Sequence, residues 1–462
     1  MIMKRFLGFV AMVLALAACN TMEMDNQPTG KDGMITITAQ LAPKTAMTKA
    51  LAFGKDAGDN DIIVSTWEVG EHLAIRYYLN GWNAADAEIT AVDENGTATI
   101  SFSVKDNTPD NTDCFIIYPY AAKDYFKSDG TTNTDFLKNQ TGSLNSALDL
   151  RLGEGKIHTT SPATLEVTTQ PAAKVDIFKF SIQDIAGTDK TATAFKVRDG
   201  SGNLIASVTP GSATGTLYVV LPVLEAGTYW FNATIDNKRY IAKATTSGTV
   251  ASKYYQSTVK MATIGNVIAA NGKFYKDANA ADADNTTAVA MITVLYPSND
   301  EKLNGYHGRA LALSDAGSGN KFQWRKTAPE DYDHTKRYKE SSGFDKEEGL
   351  DYNATHNNDT YPAFQAAISN NGTATPPDCS AWYLPSGEQW NTMISSFNSY
   401  SSLRDAFAAV GGTNMMNNWS YWSCSESTPS SAWNISFSYG TWNTSNKSSS
   451  SNAHYVRSAI AF

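Results

Sequence analysis

The chain of 462 residues has few charged side chains and no block of basic ones. Asp, Glu, Lys and Arg together make up 18% of the residues, and the formal net charge is −9. Proteins that bind nucleic acid concentrate positive charge against phosphates, so the composition argues against that class of partner. Beyond the N-terminal segment, no stretch reaches the roughly 18 apolar residues that a membrane-spanning helix needs.

Sequence motifs for catalysis are also missing. The six histidines are scattered without a His-Glu-x-x-His pattern, and neither a Gly-x-Ser-x-Gly turn nor a phosphate-binding loop occurs. Cysteines and histidines lack the spacing of a metal site. The sequence therefore predicts a protein that is not an enzyme, with no cofactor and no metal.

The N-terminus has the three parts of a secretion signal. Lys4 and Arg5 are followed by the apolar residues 6–15 and then by Leu-Ala-Ala ahead of Cys19. Small residues before a cysteine resemble the bacterial lipobox, in which the thiol receives a diacylglycerol and becomes the new N-terminus. That resemblance implies a signal peptide over residues 1–18, lipidation at Cys19, a polar tether over 19–33 and attachment to the outer membrane. An ordinary signal followed by a chance cysteine is the alternative.

Three cysteines remain besides Cys19. Cys114 lies in a strand-like apolar run, which predicts a buried free thiol. Cys379 and Cys424 would share an oxidising compartment that permits a disulfide, but the sequence leaves open whether they meet.

Alternating apolar and polar residues dominate from residue 34 to about 262. Ile35, Ile37, Ala39 and Leu41 alternate with polar side chains, and residues 98–104 repeat the pattern after an Asn-Gly turn signal. Strands with one apolar face must bury it against another sheet, so the sequence predicts β-sandwiches. A polar region over 139–164 indicates a boundary near residue 165.

Several short motifs in this region resemble the fimbrillin-like lipoproteins of Bacteroidales, which are pilus subunits and related surface proteins. The motifs are the lipobox, the lysines in KTAMTKA (44–50), WEVGEHLAI (67–75), ATISF (98–102) and IYPY (117–120). The resemblance implies a mostly β protein with two tandem transthyretin-like β-sandwiches, over residues 34–165 and 166–262. It also implies partners of the same kind, namely other fimbrial subunits.

The resemblance further implies maturation by a trypsin-like protease. Such an enzyme cuts after a basic residue near the first strand, and the vacated groove accepts a strand from another subunit. Lys44 and Lys49 follow the first predicted strand and are the candidate sites. Solvated loop lysines without a processing role are the alternative.

The last third of the chain predicts a mixed α and β unit over residues 263–462. Strands are expected over 264–275, 288–296 and 307–314. Helices are expected over 361–370, over 386–397 with Ser386 as N-cap, and over 402–410 before two glycines.

The order of motifs in this unit resembles the C-type-lectin-like modules of bacterial surface proteins. The motifs are WYLPSGEQW (382–390), YWSCSE (421–426), AWNISF (432–437) and YVRSAI (455–460). The resemblance implies two helices flanking a sheet whose first and last strands pair. The Glu-Pro-Asn and Trp-Asn-Asp motifs that hold calcium in the sugar-binding members are missing, so no calcium site is expected.

Aromatic and amide side chains crowd residues 417–446 and are suited to sugar rings, whose C–H faces stack on aromatics. Trp422 and Trp433 have the spacing of core strand residues. The exposed candidates for ligand binding are Trp442, Tyr439, Asn443 and Asn446.

Two functions are consistent with these features. The first is a minor or tip fimbrial subunit that polymerises by strand donation and adheres to a glycan or to a host or bacterial surface protein. Its C-terminal strand is needed by the lectin-like module, so it accepts a strand without donating one. The second is a lipid-anchored surface protein that binds glycans and never polymerises.

Overall fold

The computed structural model describes residues 33–44, 52–55, 61–64, 66–125, 133, 135–144, 149–249, 253–296, 306–327, 348–415 and 419–462. Strands in several sheets make up most of the regular structure, and the expectation of a mostly β protein is confirmed. Cys19 and Lys49 lie outside the described residues. None of the described helices is both long and apolar enough to cross a membrane.

The first unit is built on one seven-stranded antiparallel sheet with the order β1-β6-β5-β4-β7-β8-β9. In chain order, the strands are β1 (Met34–Leu41), β2 (Ala52–Lys55), β3 (Asp61–Val64), β4 (His72–Tyr78), β5 (Trp82–Val92), β6 (Ala98–Lys105), β7 (Thr112–Tyr118), β8 (Arg151–His158) and β9 (Thr164–Ala173), with β2 and β3 forming a separate hairpin.

The expected alternation is present in β1, where Ile37, Ala39 and Leu41 are buried and the intervening residues are exposed. The turn between β5 and β6 also follows the expectation. Gly96 there has a φ of +83°, a conformation that glycine adopts without steric cost. The buried side chains of β1 contribute to a hydrophobic core that is enclosed by one rolled sheet. The sequence predicted two facing sheets around this core.

The second unit is a sandwich of two sheets, with the orders β13-β10-β16 and β12-β11-β14-β15. Its strands are β10 (Val175–Asp184), β11 (Ala194–Arg198), β12 (Leu204–Val208), β13 (Thr216–Pro222), β14 (Ala226–Ile235), β15 (Lys238–Ser247) and β16 (Tyr254–Met261). Aromatic side chains fill the space between the sheets, with Phe180, Phe195 and Phe231 in mutual ring contact.

The boundary between the first two units differs from the prediction at residue 165. β9 continues to Ala173 and stays paired with β8 throughout, so the first unit ends later. Gln140 then joins the units, because its side-chain amide accepts from the backbone N–H of Val220 and donates to the carbonyl of the same residue (2.8 and 2.9 Å).

The third unit combines a five-stranded sheet, a three-stranded sheet and the described helices α1 to α5. Its strands are β17 (Val267–Ala269), β18 (Phe274–Tyr275), β19 (Ala288–Leu295), β20 (Gly308–Ala312), β21 (Ser420–Thr428), β22 (Ser431–Ser436), β23 (Thr441–Asn446) and β24 (Ala459–Ala461). The helices are α1 (Ala278–Ala283), α2 (Glu348–Thr355), α3 (Pro362–Ser369), α4 (Gly387–Ser396) and α5 (Tyr400–Ala409).

Helix α4 begins where its sequence predicts. The hydroxyl of Ser386 accepts from the backbone N–H of Gln389, and the side chain of Gln389 accepts from the N–H of Ser386. This reciprocal capping satisfies two of the unpaired donors at the helix start. Trp390 then lies buried and donates its indole N–H to the carbonyl of Trp422 at 3.2 Å.

The expectation that the first and last strands of this unit pair is wrong. The five-stranded sheet has the order β18-β17-β19-β20-β24, so β24 pairs with β20 and lies at the edge opposite β18. Phe462 follows β24 and packs with Trp230, Ile241 and Ile292 in one buried cluster. The third unit is thereby joined to the second through an apolar interface.

His307 lies in the same interface, with its ring 4.1 Å from that of Trp230. Burial, together with the positive charges of Arg198 and Lys243, lowers the pKa of His307 to about 3. An unfolded histidine has a pKa of about 6.5. The neutral form therefore contributes stability that is complete above that pH and is lost as the pH falls toward 3.

We expect the free energy of unfolding to fall by about 2 kcal/mol between pH 7.5 and 5.0 because of His307. Urea unfolding at the two pH values measures the difference. His307→Gln should remove this part of the pH dependence, whereas His72→Gln, at a half-exposed side chain, should retain it. Equal pH dependence in the protein and in His307→Gln contradicts the assignment.

Candidate functional site

The N-terminal strand β1 lies at an edge of the first sheet. It pairs with β6 in antiparallel register from Met34 opposite Lys105 to Leu41 opposite Ala98. Its other edge faces β9 without forming a ladder, within the described residues. Removing β1 would therefore leave β6 with an unpaired backbone edge and open the core positions filled by Ile37, Ala39 and Leu41.

Ala42, the first residue after β1, is held through both its backbone N–H and its carbonyl. The backbone N–H of Ala42 donates to the side-chain carbonyl of Gln170 in β9 at 3.0 Å. The indole N–H of Trp67 donates to the carbonyl of Ala42, also at 3.0 Å. Together these contacts fix the point at which the chain leaves the sheet.

Lys44 occupies a buried site that we call the Lys44 socket, formed by Trp67, Glu71, Tyr118 and Asp149. Its Nζ is fully buried, 3.7 Å from Glu71 Oε2 and 3.5 Å from Asp149 Oδ2. The same nitrogen lies 4.0 Å from the centroids of the Trp67 and Tyr118 rings. Two carboxylates and two aromatic faces thus surround one ammonium group, an arrangement that favours a cation when water is excluded.

The socket also contains a second cation. Arg151 donates its Nε–H to both carboxylate oxygens of Asp149 at 2.9 Å. The hydroxyl of Tyr118 donates to Glu71 Oε1, and burial raises the pKa of Tyr118. With ionised acids, loss of Lys44 removes one of the cations that stabilise these two buried negative charges.

Lys44 and Lys49 were predicted to be either protease cleavage sites or solvated loop lysines. The burial of Lys44 affects both hypotheses. The side chain is not that of a solvated loop lysine, and it is also withdrawn from a trypsin-like protease, which must take the lysine into its own pocket. Cleavage after Lys44 therefore requires prior opening of the socket. Lys49 stays a candidate on its sequence alone, because it lies outside the described residues.

The predicted ligand-binding residues of the third unit lie on and beside β23, an edge strand of the sheet β21-β22-β23. Trp442 is half-buried there and donates its indole N–H to Asn391 Oδ1 of α4 at 2.9 Å. Its ring packs against the core of the unit and is not the exposed platform expected. Asn443 and Asn446 are exposed, and Asn446 accepts from the backbone N–H of Ser448 within its own turn.

Tyr439 is exposed as expected, at 79% of its surface, in the turn between β22 and β23. Trp419 was not among the predicted ligand-binding residues, yet it is 46% exposed. The N–H of Phe437 donates to the carbonyl of Trp419, so both exposed aromatics lie at one end of this sheet. Lys321 Nζ lies 2.8 Å from the centroid of the Trp419 ring, which adds a positive charge to the patch.

The core assignments for the neighbouring tryptophans are partly confirmed. Trp422 is fully buried and donates to the carbonyl of Phe322, whereas Trp433 is only half-buried. A small pocket of about 50 Å³ lies away from this patch, at the junction of β14, β15 and β19.

The three described cysteines are all free thiols. Cys114 is buried, as predicted, and burial raises its pKa to about 12. The sequence left open whether Cys379 and Cys424 form a disulfide, and the structure shows that they do not. Cys379 packs with the cluster around Trp230, whereas Cys424 is buried in a separate cluster with Trp324 and Phe364.

Among the described residues, no three His, Cys, Asp or Glu side chains come together as metal ligands. Buried ion pairs such as Arg457 with Asp315 (2.8 Å) are enclosed by backbone and core contacts. Asp315 also accepts from the hydroxyl of Tyr421 at 3.0 Å. This arrangement ties the strand segment before β24 to the body of the unit.

No family model matches the chain, and no curated protein matches it. Among solved structures, the chain is similar to a fimbrial protein from Bacteroides ovatus, with 13% identity over 86% of this chain and 95% of that one and a TM-score of 0.34. A shaft pilin from Lactobacillus rhamnosus GG is 10% identical over 50% of this chain and 99% of that one, with a TM-score of 0.20.

An adhesin of Yersinia pseudotuberculosis is 9% identical over 92% of this chain and 97% of that one, with a TM-score of 0.17. TM-scores below 0.5 do not establish a common fold.

Proposed function

We propose that the chain is a subunit of a surface fimbria, exported by its signal peptide, lipidated at Cys19 and assembled by exchange of β1 for a strand of another subunit. The proposed role is structural and adhesive, not catalytic. The observation that carries the proposal is the position of β1, an N-terminal edge strand whose buried side chains fill the core of the first unit.

Strand exchange follows from the chemistry of that edge. Without β1, the backbone of β6 offers unpaired N–H and C=O groups, and the core offers pockets at alternate positions. An extended segment from another subunit satisfies both sets of groups at once. Proteolysis after Lys49 would separate β1 from the sheet that it completes, and Lys44 would leave with it.

The C-terminal strand supports an acceptor at the tip of the fibre. β24 is buried along its length, and Phe462 beyond it lies in the interface with the second unit. Release of this strand for donation would break the β20 ladder and open an apolar interface. Such a subunit accepts a strand through its first unit and does not donate β24 to the next subunit.

Adhesion is assigned to the third unit, which we interpret as the C-type-lectin-like module. Its exposed aromatic end, formed by Trp419 and Tyr439 with Lys321, is suited to a glycan or to a surface protein. Because Trp442 packs against the core, it is not included in this patch.

Negative-stain microscopy of fimbriae with a gold-labelled antibody to residues 263–462 tests the position in the fibre. We expect label at one end of each fibre. Label distributed along the shaft would refute the tip assignment, because β24 would then have to coexist with onward donation.

Binding to the aromatic end is tested on glycan arrays and on cell surfaces with the whole chain. The variant with Trp419→Ala and Tyr439→Ala should lose about 10-fold or more in affinity, since each stacked aromatic contributes roughly 1 kcal/mol. Tyr78→Ala, at an exposed tyrosine of the first unit, is the matched control. Equal binding by all three proteins would place the ligand elsewhere.

A lipid-anchored surface protein that binds glycans without polymerising is the second candidate. The burial of Lys44 favours it, because the folded chain withholds that lysine from a protease. Under this hypothesis, β1 and the acylated Cys19 are both retained in the protein at the cell surface.

A further inference from the structure

The Lys44 socket has a consequence for whatever strand replaces β1. If β1 is removed together with Lys44, Glu71 and Asp149 lose the ammonium group that lies 3.7 and 3.5 Å from their oxygens. The two rings that faced the ammonium group are left without it. A buried carboxylate that loses an ion-pair partner is destabilised unless a new cation or water takes its place.

We propose that the Lys44 socket is a recognition site for a basic side chain on the exchanged strand of a neighbouring subunit. This inference rests on the proposed exchange of β1. The occupant is an extended segment with alternating apolar residues, followed by a lysine three residues after the last buried one, as Lys44 follows Leu41. Lys44 shows how such an occupant is bound.

The spacing matters because the chain is held in place just before the lysine. Leu41 is the last buried residue of β1, and Ala42 is bonded through both its N–H and its carbonyl. A strand shifted by one residue would turn its apolar side chains outward and would carry its lysine away from Glu71 and Asp149. The socket therefore selects both a charge and a register among possible donor strands.

Competition with synthetic peptides tests the proposal. The whole chain is prepared with residues 45–50 replaced by the recognition sequence of a site-specific protease and is then cleaved there. Mild denaturant allows the severed strand to exchange for a fluorescent peptide of residues 34–44. Unlabelled competitors are the same peptide, its Lys44→Met version, and a version with one serine inserted before the lysine.

The native peptide should compete best, and the other two should be weaker by on the order of 100-fold, the effect of removing one partner from a buried ion pair. Glu71→Gln in the protein supplies a second measurement. This variant removes one of the two carboxylates that lie beside the lysine ammonium group, so most of the preference for lysine over methionine should be lost.

The possible outcomes distinguish strand exchange itself from recognition of a basic side chain by the socket. If the lysine and methionine peptides compete within about threefold of each other, the recognition role is refuted and strand exchange stands. If the Glu71→Gln protein keeps the full preference for lysine, the socket is not its source. If no peptide replaces the severed strand, exchange itself fails, and the recognition role fails with it.

Discussion

Replacing Lys44 by methionine should destabilise β1 by about 3 kcal/mol, the lower end of the effect of removing one partner from a buried ion pair. Methionine retains the apolar stem against Trp67 and Tyr118 but leaves the negative charges of Glu71 and Asp149 with one cation fewer. We expect the lower end because Arg151 continues to pair with Asp149.

Hydrogen exchange followed by mass spectrometry measures this effect at the strand itself. The amides shared between β1 and β6 should exchange about 100-fold faster in Lys44→Met, while those of the third unit should be unchanged. Lys105→Met is the control, since Lys105 lies in the same ladder but is exposed. Identical exchange in Lys44→Met and Lys105→Met would show that the socket does not hold β1.

Truncating Phe462 to alanine should cost about 3–5 kcal/mol, the range for a buried phenylalanine. The ring is 2% exposed and packs edge-on against Phe274 at 5.7 Å. Its backbone also exchanges hydrogen bonds with Gly308 of β20. Loss of the ring therefore opens the interface with the second unit at the point where β24 is anchored.

Calorimetry of the whole chain should show the transition of the third unit lowered by roughly 10 °C in Phe462→Ala. Tyr439→Ala removes a ring of similar size from an exposed turn and should change the transition little. A small effect of Phe462→Ala would mean that β24 is loosely held and could be donated to another subunit. That result would contradict the proposed tip position.

The regular elements were the most predictable part of the molecule. Alternation placed β1 and β6 correctly, because burial on one face repeats every second residue. Ser386 and Gln389 predicted the start of α4, because a capping box is a local interaction between residues three apart. Helices α1 and α2 are short, and the sequence analysis did not predict them.

Long-range contacts were the least predictable part. Trp442 was expected to be exposed from its polar neighbours, but Asn391 of α4 provides a partner for its indole 51 residues away. Cys379 and Cys424 lie near each other in sequence yet pack into different clusters. Periodicity within a strand carries no information about such partners.

Most residues of the Lys44 socket lie in segments identified from the sequence, but their contact with one another was not predicted. Trp67 and Glu71 come from one of the motifs that suggested a fimbrial subunit, and Tyr118 comes from another. The sequence motifs identified these segments and Lys44 independently of one another. Only the pairing of β4 with β7 brings the runs together around the lysine.

The N-terminus of the protein recovered from fimbriae on the cell surface tests the central claim most directly. Sequencing by Edman chemistry or mass spectrometry should find a chain that begins at Ala50, after cleavage at Lys49, and that no longer contains β1. A chain that begins at an acylated Cys19 and retains Met34–Leu41 would contradict strand exchange and would favour the anchored glycan-binding protein.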